Sequence, residues 1–137
     1  SSGFFVDKHP RSITCIERNL SAVAKSIGRE SKTMGRVTQS DALSWLPPEG
    51  QPLVELVFID PPYELIPSLG LKLLSHVLHC VNPAVDPLVL FETPGEIALT
   101  HPSWELVKRL GGKNAHQPGV SVFRRRASPL DPPTSGA

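Results

Sequence analysis

Residues Asp60-Pro61-Pro62-Tyr63 place a carboxylate, a rigid corner and an aromatic ring within four positions, directly after the apolar run 53–59. Neither proline nitrogen can donate a hydrogen bond, so helix and ladder both stop there. The carbonyl of Pro61 is left as an acceptor beside Asp60. Tyr63 offers a flat face on which a base can stack, a contact worth about 1–3 kcal/mol. Two acceptors and a ring suit a planar –NH2 group held with its nitrogen lone pair toward an electrophile. The same four residues also describe a proline turn with Asp60 capping the next helix; their position at the end of an apolar run favours the chemical reading.

Other acids recur at comparable places. Three expected strands end in acids, Asp7, Asp60 and Glu92, and Asp41 opens the short helix expected after a fourth. In α/β sheets that bind nucleosides, an acid at such a strand end takes the ribose hydroxyls as donors. Asp7 suits that role or a cap. Asp41 suits an acceptor for an adenine amino group or a helix N-cap. His9, His76, His79, His101 and His116 show no ligand spacing and read as surface or helix-face residues, with no metal site. No Gly-x-Ser-x-Gly elbow or Gly-Lys-Ser phosphate loop occurs. Arg124-Arg125-Arg126 is a solvated strand end or a contact to an RNA backbone.

The elements that must carry these residues alternate. Residues 3–7 read as a buried strand, and 11–27 as a helix with Ile13, Ile16, Leu20, Val23, Ala24 and Ile27 on one stripe, stopped by Gly28. Residues 35–39 are a weaker strand and 40–46 a short capped helix. The run 53–59 reads as a central strand covered on both faces, 69–81 as a helix and 88–92 as a buried strand. Residues 104–108 and 120–123, separated by glycines, predict a terminal antiparallel hairpin. Alternation of this kind predicts an open, mostly parallel α/β sheet whose ligands bind outside the carboxyl ends of the strands, where the four carboxylates would gather. Residues 1–127 form the expected domain, and 128–137 a proline-rich disordered tail.

The bulk numbers set limits. With 137 residues the chain can bury about two-thirds of its unfolded surface. Hydrophobic content of 39% and charged content of 20% exclude a disordered chain, and a net charge of +1 excludes a globally basic surface. Two cysteines, Cys15 and Cys80, are expected as buried hydrophobes without a disulfide framework, which fits a reducing compartment. No apolar run reaches the roughly 18 residues a membrane helix needs, and no secretory leader opens the chain, so the expected location is cytoplasmic, with no membrane partner.

The stretches FFVDKHPRSITCIERNL, VTQSDALSWL, LVELVFIDPPYE and PLVLFETP, with the strand at 120–126, fall in the order found in S-adenosylmethionine-dependent methyltransferases. Over residues 3–126 the chain resembles the bacterial ribosomal RNA small subunit methyltransferase D family, which methylates a guanine exocyclic amine in 16S rRNA. The DPPY residues are shared by many amino-methyltransferases; with Asp7 and Asp41 at their spacing the pattern is more specific. The resemblance implies a Rossmann-like class I methyltransferase sheet with a C-terminal antiparallel hairpin. It also implies S-adenosyl-L-methionine as cofactor, 16S rRNA or the small ribosomal subunit as partner, and no metal. Carried over by residue, Asp7 matches the acid that binds the donor's ribose, and Asp41 with Ala42 the position that contacts its adenine. Asp60, Pro61, Pro62 and Tyr63 match the catalytic motif that holds the target amine and stacks its base, with Asp60 also beside the donor.

The sequence departs from that family at two places. His9 stands where a second acid is usual, and the glycine-rich Asp-x-Phe-x-Gly-x-Gly loop around the donor's methionine portion does not occur. The resemblance therefore implies that the first βα unit and the N-terminal RNA-binding extension are missing. Two alternatives stay open: another DPPY-type amino-methyltransferase, acting on adenine N6 in DNA or RNA, or an inactive fragment of such an enzyme.

Overall fold

The computed structural model describes residues 2–127, and the chain divides between Pro47 and Pro48 into two compact units. The expected tail at 128–137 lies outside the described residues.

In the first unit Pro10 opens helix α1 (Pro10–Ser26), where its missing N–H costs no hydrogen bond. Strand β1 (Gly3–Asp7) precedes it; a single turn α2 (Ser31–Met34), not foreseen in the sequence, and strand β2 (Gly35–Gln39) follow. The two strands pair in parallel from Gly3↔Gly35 to Asp7↔Gln39. Gly28 ends α1 as expected: its φ of 68° is open to a residue without Cβ, and the next amide, Arg29 N–H, donates to Ala24 O at 2.8 Å.

The stripe on α1 is narrower than predicted. Ile13, Ile16 and Leu20 are half-buried and Ala24 is buried, whereas Val23 and Ile27 stand in solvent. Cys15 is exposed, against expectation. Its apolar neighbour Ile16 is one residue away, which on a helix is about 100° around the axis.

Residues 40–46 form a turn where a helix was predicted. Pro47 and Pro48 lack the N–H groups that would bond back into a helix, and the Asp41 carboxylate takes the Leu43 N–H at 2.9 Å instead. Phe4 and Trp45 pack with ring centroids 5.3 Å apart.

The second unit holds strands β3 (Leu56–Ile59), β4 (Leu88–Pro94), β5 (Trp104–Gly111) and β6 (Pro118–Arg125) in the order β3-β4-β6-β5. β3 and β4 are parallel; β4, β6 and β5 are antiparallel neighbours, with the predicted terminal hairpin and an irregularity between Leu106 and Lys108. Helix α3 (Ile66–Val77) buries Ile66, Gly70, Leu73, Leu74 and Val77, one face at helical spacing. Alternate residues of β4 and β6, namely Val89, Phe91, Thr93, Ser121 and Phe123, are buried with them. Trp104 ties helix to sheet: it is 1% exposed and its Nε1–H donates to Leu74 O at 2.8 Å.

The run 53–59 is not covered on both faces. β3 pairs with β4 alone among the described strands, only Ile59 of it is buried, and Phe58 is 72% exposed. An unbroken apolar run specifies a preference for burial, whereas coverage depends on neighbours that lie elsewhere in the chain. The strand pairings number two parallel and two antiparallel among the described residues, less parallel than the alternation suggested. Cys80, predicted on a helix, is buried in the turn after α3. No helix of the described residues is long and apolar enough to cross a membrane.

Candidate functional site

Ile59 pairs with Phe91, so the next step along both strands sets Asp60 beside Glu92 where the parallel pairing of β3 and β4 ends. Pro61 and Pro62 then turn the chain out of the sheet; Pro62, at φ −52° and ψ 134°, starts a single 3-10 turn over Tyr63–Leu65. That turn returns the ring toward the sheet. The Tyr63 hydroxyl donates to Glu92 Oε1 at 2.9 Å, and both residues are half-buried. Asp60 and Tyr63 thus share one sheet end with Glu92, an acid that carried no assigned role in the sequence.

The two charges that act on each other at this end, Asp60 and Glu92, are of one sign. Partial burial lifts the Asp60 carboxyl above its ordinary value, and the charge of Glu92 adds to the effect. The Tyr63 phenol is also raised, first by partial burial, then by its bond to Glu92 and by the charges of Glu92 and Asp60. No cation figures among the causes of either shift. A cluster of acceptors and negative charge suits a ligand that brings N–H donors or positive charge. Among the described residues no three His, Cys, Asp or Glu side chains are grouped to hold a metal.

Asp7 and Asp41 lie together at the carboxyl end of the other parallel pair, β1–β2. Asp7 Oδ1 accepts the His9 N–H at 2.7 Å, and the Asp7 carbonyl accepts Ser40 N–H at 3.0 Å, joining the two strand ends. Gln39 Nε2 adds a bond to Lys8 O at 3.2 Å. Each carboxylate spends one oxygen on its own turn, since Asp41 Oδ1 holds Leu43 N–H. Oδ2 of Asp7 has no protein partner among the described residues. Ala42, beside Asp41, is exposed.

The three arginines do not form one patch. Arg124 Nε pairs with Asp86 Oδ2 at 2.7 Å, and Arg125 points to the opposite face of β6, as strand alternation requires. Arg126 is exposed beyond the strand, its N–H donating to Ser103 O at 2.9 Å.

His101 departs from the expectation for the histidines: it is 8% exposed. The Ser103 N–H donates to its Nδ1 at 3.1 Å, so Nε2 carries the proton and donates to Ser75 Oγ at 2.8 Å. Burial lowers its pKa.

Two further contributions have only faint sequence signals. Glu92 is readable as a strand-end acid, but its partner Tyr63 lies 29 positions earlier and becomes visible only with the β3–β4 register. Arg109 supports the segment after β4: its guanidinium donates to Ser121 Oγ at 3.0 Å, Gly95 O at 2.8 Å and Pro94 O at 3.3 Å. Gly95 permits that packing, since a Cβ there would meet the Gly112 backbone.

Several solved structures share this fold. One is a provisionally named methylase from Haemophilus influenzae, 20% identical, with a TM-score of 0.66 over 90% of this chain and 72% of that one. Another is the provisionally named methyltransferase yhhF from Escherichia coli, 22% identical, TM-score 0.66, over 93% of this chain and 65% of that one. TrmN from Thermus thermophilus is 19% identical with a TM-score of 0.66, over 92% of this chain and 37% of that one. This chain therefore spans from about a third to somewhat under three-quarters of the lengths of these structures. No protein-family model and no curated protein sequence matches it. The fold is Rossmann-like α/β, of the kind these structures share.

Proposed function

We propose that the chain is a methyltransferase domain, spanning residues 1–127, that moves a methyl group from S-adenosyl-L-methionine to the exocyclic amine of a guanine in 16S rRNA. The observation that carries this reading is the acceptor cluster of Asp60, Tyr63 and Glu92 at the carboxyl end of a parallel strand pair. It stands on a fold shared with proteins named as methyltransferases. The resemblance of the sequence to a guanine-methylating family supports the choice of base.

S-adenosyl-L-methionine, when bound, supplies an electrophilic methyl on a sulfonium. The residues present fit its nucleoside: Asp7 has an unspent carboxylate oxygen for ribose hydroxyls, and the Asp41–Ala42 turn lies at the same strand end for the adenine. Asp60 and the Pro61 carbonyl each accept one N–H of the target amine, which turns the nitrogen lone pair away from them. Tyr63 stacks the base, and the proton displaced from the methylated nitrogen passes to water. Positioning supplies most of the acceleration, through geometry rather than acid–base work. Arg124, Arg125 and Arg126 are assigned to the RNA backbone in this reading, with Arg124 and Arg126 exposed and Arg125 half-buried. The small ribosomal subunit as partner places the protein in the cytoplasm.

Calorimetric titration with S-adenosylhomocysteine tests the reading. Micromolar binding is expected, weakened about 10- to 100-fold in Asp7→Ala through loss of hydrogen bonds to a charged group. A folded chain that releases no heat would contradict the assignment.

A further inference from the structure

We infer that Glu92 is a positioning residue of the proposed site, its carboxylate holding the Tyr63 ring in the plane on which the target base stacks. The inference rests on the methyl-transfer reading and adds to it a residue outside the DPPY motif.

Three features support it. First, the two partners are unequally anchored. Tyr63 sits at the start of a single 3-10 turn, after two prolines that take no part in the sheet ladder. Glu92 lies in β4, paired with Val120 of β6 and one position past the last pairing with β3, and its neighbours Phe91 and Thr93 are fully buried. The rigid strand therefore sets the ring, and not the reverse.

Second, the contact has a fixed direction. An ionised carboxylate only accepts, so the phenol must donate, and at 2.9 Å the Oη position is pinned at the far end of the ring. With Cα held by the turn and Oη held by Glu92, the ring has an anchor at each end. A stacking platform free to rotate would give up part of its contact to side-chain entropy.

Third, Glu92 neighbours Asp60 by register, so one strand position governs both members of the motif. Its charge is a cause of the raised proton affinity of each.

The chain contains one tyrosine, so the phenolate absorbance of the whole protein reads Tyr63 alone. Titrating the parent chain, Glu92→Ala and Glu92→Gln by absorbance should show the phenol ionising above its ordinary value in the parent. It should fall toward that value in Glu92→Ala and lie between in Glu92→Gln, which keeps an acceptor oxygen without the charge. In methyl transfer to undermodified small ribosomal subunits, Glu92→Ala should raise the KM for RNA about 3- to 10-fold, a part of what a full base stack contributes. Its affinity for S-adenosylhomocysteine should stay that of the parent, and Glu92→Gln should recover most of the loss.

An unmoved phenol titration in Glu92→Ala overturns the inference whatever the activity. So does a moved titration accompanied by a parental KM. A parent chain that transfers no methyl group, yet shows the titration shift, refutes the methyl-transfer reading and with it the positioning role, leaving only the Tyr63–Glu92 contact.

Discussion

Asp60 illustrates how much a single position can announce. A carboxylate followed by two residues without N–H donors and then an aromatic ring is unusual enough to mark a site before any fold is known. The partner that completes it was not legible, because Tyr63 and Glu92 meet only through the pairing of Ile59 with Phe91. His101 was misread for a similar reason: nothing near it in sequence signals burial, and its partner Ser75 comes from another element. Its environment makes a prediction. The folded state favours the neutral form of His101, because burial disfavours the charge and the Ser103 N–H points at Nδ1. The folded pKa is therefore below the ordinary 6.5, and the unfolded chain binds the proton first as pH falls. Stability contributed by this arrangement is fully present above about pH 7 and is lost progressively below the unfolded value. Urea midpoints measured from about pH 7 to 5 should fall more steeply for the parent than for His101→Asn. Parallel curves for the two proteins would contradict this.

Among elements, periodicity located α1, α3, β4 and the terminal hairpin, since each carries a pattern long enough to read alone. Where the reading failed, the deciding groups were local competitors or distant neighbours. Pro47, Pro48 and the Asp41 side chain outweighed a helix-like pattern at 40–46. The solvent exposure of β3 follows from its place at the edge of the second unit's sheet. Arg109 shows how one side chain can hold an element in place. It is half-buried and satisfies the carbonyls of Pro94 and Gly95, which directly follow Glu92 and Thr93. Arg109→Met keeps much of the apolar stem and removes these donors. It should cost about 1–3 kcal/mol in urea-unfolding free energy. Amide exchange should quicken in the 93–97 segment, while α1 in the first unit exchanges at the parent's rate. Unchanged exchange at 93–97 would show that the carbonyls find other partners.

For the whole molecule, two observations meet: a Rossmann-like fold shared with structures named as methyltransferases, and two pairs of acids, each at the carboxyl end of a parallel strand pair. Asp7 with Asp41 suits the nucleoside of a donor, and Asp60 with Tyr63 and Glu92 suits an acceptor amine. The most direct test is transfer of labelled methyl groups from S-adenosyl-L-methionine to small ribosomal subunits lacking the modification, beside duplex DNA, with nucleoside analysis of the product. Label is expected in 16S rRNA as N2-methylguanosine. A fall of about 100-fold is expected in Asp60→Ala and in Tyr63→Ala, while Tyr63→Ala binds S-adenosylhomocysteine as the parent does and Asp60→Ala retains most of that affinity. Label appearing as N6-methyladenosine, no label from a chain that binds the donor, or equal loss of donor affinity and rate in those variants would contradict the proposed function.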